Sequence, residues 1–196
     1  MSGETHSQQF IPVLESIPYP KRPLLKAVFK SPIVLWRLGL GGLVGRLFMI
    51  MTTIGRKSGQ PRRTAIEYHE FNGKKYVLAA WPKSDWYQNL LADPRVTVQT
   101  ARGVEACVAR RLTDDQELAE VFEFVEKNPF MRRFWEMLGF NLTREEFLAQ
   151  KDRFYMIAFD PTNQPTPPPL EADLRWVWAV IGISGLIGFV LGRRSK

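Results

Sequence analysis

The densest chemistry in the chain is a run of twelve residues, Thr52-Thr53-Ile54-Gly55-Arg56-Lys57-Ser58-Gly59-Gln60-Pro61-Arg62-Arg63. Arg56, Lys57, Arg62 and Arg63 fall within eight residues, and Thr52, Thr53 and Ser58 add hydroxyls. Glycine lets a backbone approach an anion closely, and the exposed N–H groups of such a turn form a concavity for phosphate oxygens. Arginine adds paired hydrogen bonds to phosphate or carboxylate. The same run also reads as a solvated basic turn, and charge alone does not separate the two readings.

A second constellation follows: Ala79-Ala80-Trp81-Pro82-Lys83-Ser84-Asp85-Trp86-Tyr87-Gln88-Asn89-Leu90, then Asp93-Pro94. Its aromatic rings suit stacking on a flat heteroaromatic ring, or alternatively plugging a core. Hydrolytic and nucleotide signatures are absent. The basic run lacks the Walker A spacing, Gly39 to Gly45 does not space as a dinucleotide fingerprint, and there is no GxSxG or HExxH. One cysteine, Cys107, excludes an internal disulfide and a cysteine-based metal cage, and two histidines, His6 and His69, make a histidine-rich metal site unexpected. His69 reads as structural or exposed, and Cys107 as a small buried hydrophobe. No catalytic acid or base and no metal ligand is nominated.

The elements that must position these residues are short. Ser31-Pro32 reads as the start of a helix ending near Gly39 to Gly42. Strands are expected over Leu47–Thr53, Thr64–Phe71, Lys75–Trp81, Arg95–Ala101, Val104–Leu112 and Arg153–Phe159, with Asn72-Gly73 and Arg102-Gly103 as hairpin turns. Thr113 with Gln116 and Thr143 with Glu146 read as capping boxes, the first opening a helix to about Lys127. Six strands, mostly in hairpins, predict a mainly β (α+β) fold, a small antiparallel barrel flanked by helices.

Composition bounds the partners. The chain has 196 residues, 45% of them apolar, with a formal charge of +7, which fits one domain with appendages and an anionic partner. Met1 to Pro23 lacks the apolar stretch of a secretory signal. Asp160-Pro161 to Asp173 holds five prolines and reads as a stiff, extended linker. Trp176 to Gly192 carries no charge, has Trp176 and Trp178 at one end and Arg193, Arg194 and Lys196 beyond the other, and is expected to be a single-pass membrane helix. The expected organisation is an N-terminal segment (1–30), a barrel domain (31–160), a linker (161–173), a transmembrane helix (174–192) and a basic tail (193–196). The expected localisation is a membrane, with a C-terminal anchor and the globular domain cytoplasmic. The cations after the helix favour the opposite orientation by the positive-inside rule. Ser184, Gly188 and Gly192 form a small-residue face that could pair two copies as a homodimer.

Taken together, "TTIGRKSGQPR", a hairpin and "DWYQNLLADPRVTVQ", preceded by "LWRLGLGGLVGRLF", resemble the deazaflavin-dependent nitroreductase/quinone reductase family from about Leu35 to Pro161. The resemblance implies a split antiparallel β-barrel of flavin-reductase type and binding of coenzyme F-420, an 8-hydroxy-5-deazaflavin whose tail carries a phosphate and a glutamate chain. It implies that Arg56, Lys57 and Ser58 hold the phosphate and tail, with Arg62, Arg63 and Thr64 continuing the wall. Ala79, Ala80, Trp81 and Pro82 would line the deazaflavin, and Trp86, Tyr87 and Asn89 would close the pocket. The chain departs from some relatives in having Trp81-Pro82 where a small polar residue and a lysine can occur. It offers Phe130, Phe134 and Trp135 where some members place tyrosines.

The function implied is a membrane-tethered oxidoreductase that passes hydride from the reduced deazaflavin to an apolar acceptor, a quinone or nitro compound, beside the lipid bilayer. The rival readings are a split barrel that binds FMN or a lipid-like ligand without turnover, and a polyanion-binding module with steep salt dependence. Nucleic acid is not the expected partner.

Overall fold

The computed structural model describes residues 30–79, 83–129, 132–133, 136, 143–149, 151–152 and 155–194. The expected positions His6, Ala80, Trp81, Pro82, Phe130, Phe134, Trp135, Arg153 and Lys196 lie outside them. A leading helical stretch (30–44) includes a π-helical turn, Trp36–Leu40. Seven strands follow: β1 Phe48–Ile54, β2 Pro61–Glu67, β3 His69–Phe71, β4 Lys74–Leu78, β5 Arg95–Thr100, β6 Gly103–Arg111 and β7 Met156–Pro161. The helices among and after them are α1 Asp85–Ala92, α2 Asp115–Lys127, α3 Arg144–Ala149 and α4 Trp176–Arg194.

The strands form one antiparallel sheet in the order β2-β1-β5-β6-β7-β4-β3. This corrects the expected barrel: the sheet is not closed, because β2 and β3 are its two edges and are not paired with each other. The expected single strand Thr64–Phe71 is divided at Tyr68. Before it, β2 pairs with β1; after it, β3 pairs with β4. Tyr68 is itself pinned, its hydroxyl donating to the Gly45 carbonyl at 2.9 Å. A single residue therefore spans from one edge of the sheet to the other, and the sheet must curl strongly for that to be possible. Pro61 and the exposed cations Arg62 and Arg63 suit β2 to an unpaired edge, where proline costs no ladder bond and charge discourages further pairing.

Two hydrophobic cores flank the sheet. Met49, Met51, Val96, Val98, Val77, Cys107 and Phe159 fill the inside of the curl together with Tyr87 and Leu90 of α1. Leu118, Val121, Phe122 and Val125 of α2 and Phe147 of α3 cover Tyr76, Leu112, Met156 and Ala158. Asp114, rather than Thr113, caps α2, its carboxylate accepting from the Gln116 and Glu117 amides at 3.0 Å each. A carboxylate facing the positive end of a helix dipole outcompetes a hydroxyl one residue earlier. Thr143 caps α3, accepting from the Glu146 amide at 3.2 Å.

The outer faces of β1 and β5 are also buried, which is why β1 reads as a continuous apolar run. The proline-rich stretch lies across them as a strap. Thr97 Oγ1 meets Thr166 Oγ1 at 2.7 Å and donates to the Pro167 carbonyl, while Gln99 exchanges two bonds with Leu170, at 3.0 and 2.6 Å. The strap then docks on the leading helix: the Leu174 amide donates to the Arg37 carbonyl at 3.0 Å, and Trp178 Nε1 to the Leu38 carbonyl at 2.7 Å. Glycine suits position 39 there, because its φ of +87° is a backbone conformation that residues with a β-carbon rarely adopt.

The expected transmembrane helix is overturned. Among the described residues, no helix is long and apolar enough to cross a membrane. In α4 the uncharged stretch from Trp176 to Gly192 rises only ~26 Å, short of the ~30 Å hydrocarbon thickness. Gly182, Gly185, Gly188 and Gly192 lower its apolar content further. With the anchor goes the single-pass membrane localisation that rested on it.

Candidate functional site

The basic run forms a tight loop between β1 and β2. The Gly55 amide donates to the Gln60 carbonyl at 2.9 Å, and the Ser58 and Gly59 amides both donate to the Gly55 carbonyl, at 3.0 and 2.8 Å. A β-carbon at position 55 would lie 2.8 Å from Ser58 Oγ and 3.1 Å from Arg62 Cγ, so those side chains would have to move to admit one. Ser58 Oγ accepts from the Gln60 amide at 3.3 Å and from Arg62 Nη2 at 3.2 Å.

Asn89, on α1 and 3% exposed, braces the loop from beneath. Its Oδ1 accepts from the Arg56 amide at 3.2 Å and from Arg56 Nη1 at 3.0 Å, and its Nδ2 donates to Thr53 Oγ1 at 3.3 Å. Arg56 is held further by Asp85, whose Oδ1 is 3.0 Å from Nη2. Most of the hydrogen-bonding capacity of Arg56 is thus spent on tying the loop to α1. Lys57, Arg62 and Arg63 have no carboxylate within ion-pair distance among the described residues, and neither does Lys30.

These groups surround an open cleft of about 630 Å³, lined by Lys30, the loop from Gly55 to Ser58, Pro61 to Thr64, and Asp85, Trp86 and Asn89 of α1. That volume lies within the range of small-ligand sites, ~300–1,000 Å³. Five cations face one carboxylate, Asp85. By strand register Arg62 and Thr64 share a face with Thr53 and Met51, while Arg63 stands with Thr52 on the opposite face. Arg63 therefore also borders a second groove of about 460 Å³, whose walls are Ile33 and Arg37 of the leading helix and Pro168 to Glu171 and Asp173 of the strap. Arg37 donates to both Asp173 oxygens, at 2.8 and 2.7 Å, and this pairing, with a smaller contribution from Arg63, holds the Asp173 carboxyl below its usual range.

The structure divides the expected site residues into groups. Arg56, Lys57, Ser58, Arg62, Arg63, Thr64, Trp86 and Asn89 come together on the cleft. Ala79 and Tyr87 are buried in the core instead. Tyr87 packs edge-on against Trp86 and Tyr155, at 5.9 and 5.6 Å, and its burial pushes its hydroxyl pKa up. Cys107 is buried and its thiol is pushed up to about 11, consistent with a core side chain. His69 is held below its usual range by burial and lies away from the cleft, beside Arg102 and Glu70. Lys30, Gly55, Pro61 and Asp85 line the cleft without having been nominated. Asp85 sits at the start of α1, where its negative charge also serves the helix dipole and gives no separate signal.

The family model described as F420H₂-dependent quinone reductase matches residues 38–131. The match spans the basic loop, its hairpin, α1 and its aromatic residues, in the order the sequence motifs require. Over residues 38–131, just under half of its length, the chain is similar to that family. The chain is accordingly an oxidoreductase of the deazaflavin-dependent class, and its cofactor is coenzyme F-420. Among solved structures, an F420-H2 dependent reductase is 26% identical, covering 58% of this chain and 93% of its own, with a TM-score of 0.35. An F420 reductase is 18% identical, covering 59% and 86%, with a TM-score of 0.35. An FAD-binding protein from Mesorhizobium loti is 15% identical, covering 60% and 82%, with a TM-score of 0.38. At these TM-scores the overlays carry no functional weight. The cofactor fits the residues present: the unpaired cations suit a phosphate and carboxylate tail, and Trp86 offers an aromatic face on the cleft wall.

Proposed function

We propose that the cleft is the cofactor site and that the protein passes hydride from reduced coenzyme F-420 to a quinone or a nitro compound. The observation that carries this reading is the set of cations without carboxylate partners on the cleft wall: Lys30, Lys57, Arg62 and Arg63. When bound, the reduced deazaflavin supplies the hydride from its own ring. The protein's part is then to bind, orient and shield. Lys57, Arg62 and Ser58 hold the phosphate, and Arg63 holds the start of the acidic tail. Arg56 acts through the loop, fixing its backbone by way of Asn89 and Asp85. Trp86 stacks on the ring system, and Tyr87 fixes the tilt of Trp86 from behind. Ala80, Trp81 and Pro82 remain proposed neighbours of the ring by motif position.

The test is a fluorescence titration of the purified chain with oxidised and reduced cofactor, followed by turnover with a short-chain quinone and with a nitroaromatic. Micromolar binding with quinone-dependent oxidation of the reduced cofactor is expected. Absence of binding at micromolar cofactor sinks the reading; binding with turnover of the nitroaromatic alone reassigns the acceptor.

A further inference from the structure

The cationic wall does not end at the cleft. Lys30, Ile33 and Arg37 are spaced by three and four on the leading helix and so share one face. Lys30 lines the cleft, Ile33 and Arg37 line the strap groove, and Arg63 borders both cavities. The two cavities are thus joined by one helix face and one arginine, and positive charge runs from Lys57 through Arg63 to Arg37. There it meets the strap's own acids. Asp173 takes two donors of Arg37, and Glu171 lines the same groove without an ion-pair partner among the described residues.

We propose, building on the cofactor reading above, that the strap groove is an outer subsite for the acidic tail, and that Asp173 and Glu171 select tail length. A short tail ends at Arg63 and never meets the strap. A longer one brings further carboxylates towards Arg37, where Asp173 already supplies the matching charge. Taking Arg37 from Asp173 exchanges one carboxylate for another and leaves Asp173 unpaired beside Glu171, so added glutamates gain nothing. Both side chains of the Arg37–Asp173 pair are well exposed, 38% and 47%. Exposed pairs contribute only ~0–1 kcal/mol to stability, so the pair is spared for a selective role. The strap keeps its place without it, through Thr97 and Gln99.

The full chain would be titrated with tail-free deazaflavin, with cofactor bearing a single glutamate and with cofactor bearing a long glutamate chain. Asp173→Asn is expected to tighten the long-tailed form roughly three- to tenfold and leave the other two unchanged. Glu171→Gln, which breaks no ion pair of the described residues, should act in the same direction more weakly. Adding Arg37→Ala to Asp173→Asn should abolish the gain. An equal change for long and short tails, or no change in either variant, overturns the proposal. If the unmodified chain binds none of the three probes, the cofactor reading itself fails; binding blind to the strap substitutions removes only the selector.

Discussion

At the α2 side of the sheet, Arg110 is clamped by Glu117 and Asp160 and Lys74 pairs with Glu117 at 3.3 Å, while on the other face the almost fully buried Lys75 reaches both oxygens of Glu105, at 2.7 and 2.8 Å. At the β2 edge, Lys30, Lys57, Arg62 and Arg63 crowd one cleft with Asp85 as its single acid, and Asp85 is already spent on Arg56. Both regions are rich in cations, yet only one is internally neutralised. Charges matched by the protein's own carboxylates hold elements together; charges left unmatched repel one another, a cost that the proposed anionic ligand would offset. The contrast separates architecture from binding on a single chain.

The contrast breaks most visibly if the cleft cations turn out to be structural. Replacing Lys57 and Arg62 together by alanine is expected to raise the cofactor Kd about 100-fold, roughly two charge-assisted bonds at an exposed site. The melting temperature should stay within about 2 °C, since no ion pair is lost. A large drop in melting temperature with unchanged binding would erase the distinction between the two regions. Asn89→Ala tests the joint between loop and helix. It leaves the Arg56 amide and Thr53 Oγ1 short of a partner and should cost about 2 kcal/mol of stability, measurable by urea unfolding. Binding should weaken in parallel as the loop loosens.

The matched side should behave in the opposite way. Glu117→Gln is expected to cost about 1 kcal/mol at neutral pH with cofactor binding unchanged. The two bonds from Arg110 hold the Glu117 carboxyl at about 2, against an ordinary 4.5. A depressed folded pKa contributes stability that is complete above the ordinary value and is lost as pH falls through the folded one. The difference between the native protein and Glu117→Gln should therefore shrink as pH drops from about 5 towards 2. A difference that is constant over that window would show the pair to be unimportant.

Local signals carried much of this layout. Asn72-Gly73 makes the β3–β4 turn with φ of +50° and +72°, as an Asn-Gly hairpin demands, and Arg102-Gly103 joins β5 to β6. The basic loop and the Trp86–Asn89 segment were legible as two constellations, joined only by the family resemblance, and the cleft brings most of their residues together. What stayed hidden depends on distant contacts. Thr64 to Phe71 holds no glycine, proline or other turn residue, so nothing nearby shows that β2 and β3 part to opposite edges. Tyr87 and Ala79 look like their neighbours, yet face the core, Tyr87 through the packing of α1 and Ala79 at the end of β4, where its amide donates to the Tyr155 carbonyl. The proline-rich stretch has a linker's composition, but Thr97 and Gln99 give it a surface to follow. The uncharged run of α4 resembles a membrane span until its length and glycine content are weighed.

The placement of β7 has a consequence for the nascent chain. It lies between β6 and β4, so Tyr76 must wait for Ala158 and Arg110 for the same residue, more than eighty and nearly fifty positions downstream respectively. Before β7 is made, two interior ladders stand open, and each is a template for pairing with another chain. Pairings of such sequence separation form slowly, on the order of milliseconds to seconds. A chain interrupted anywhere ahead of Met156 would leave the ribosome with its most adhesive edges uncovered, and synthesis of those last strand residues is what takes the protein out of danger of aggregation.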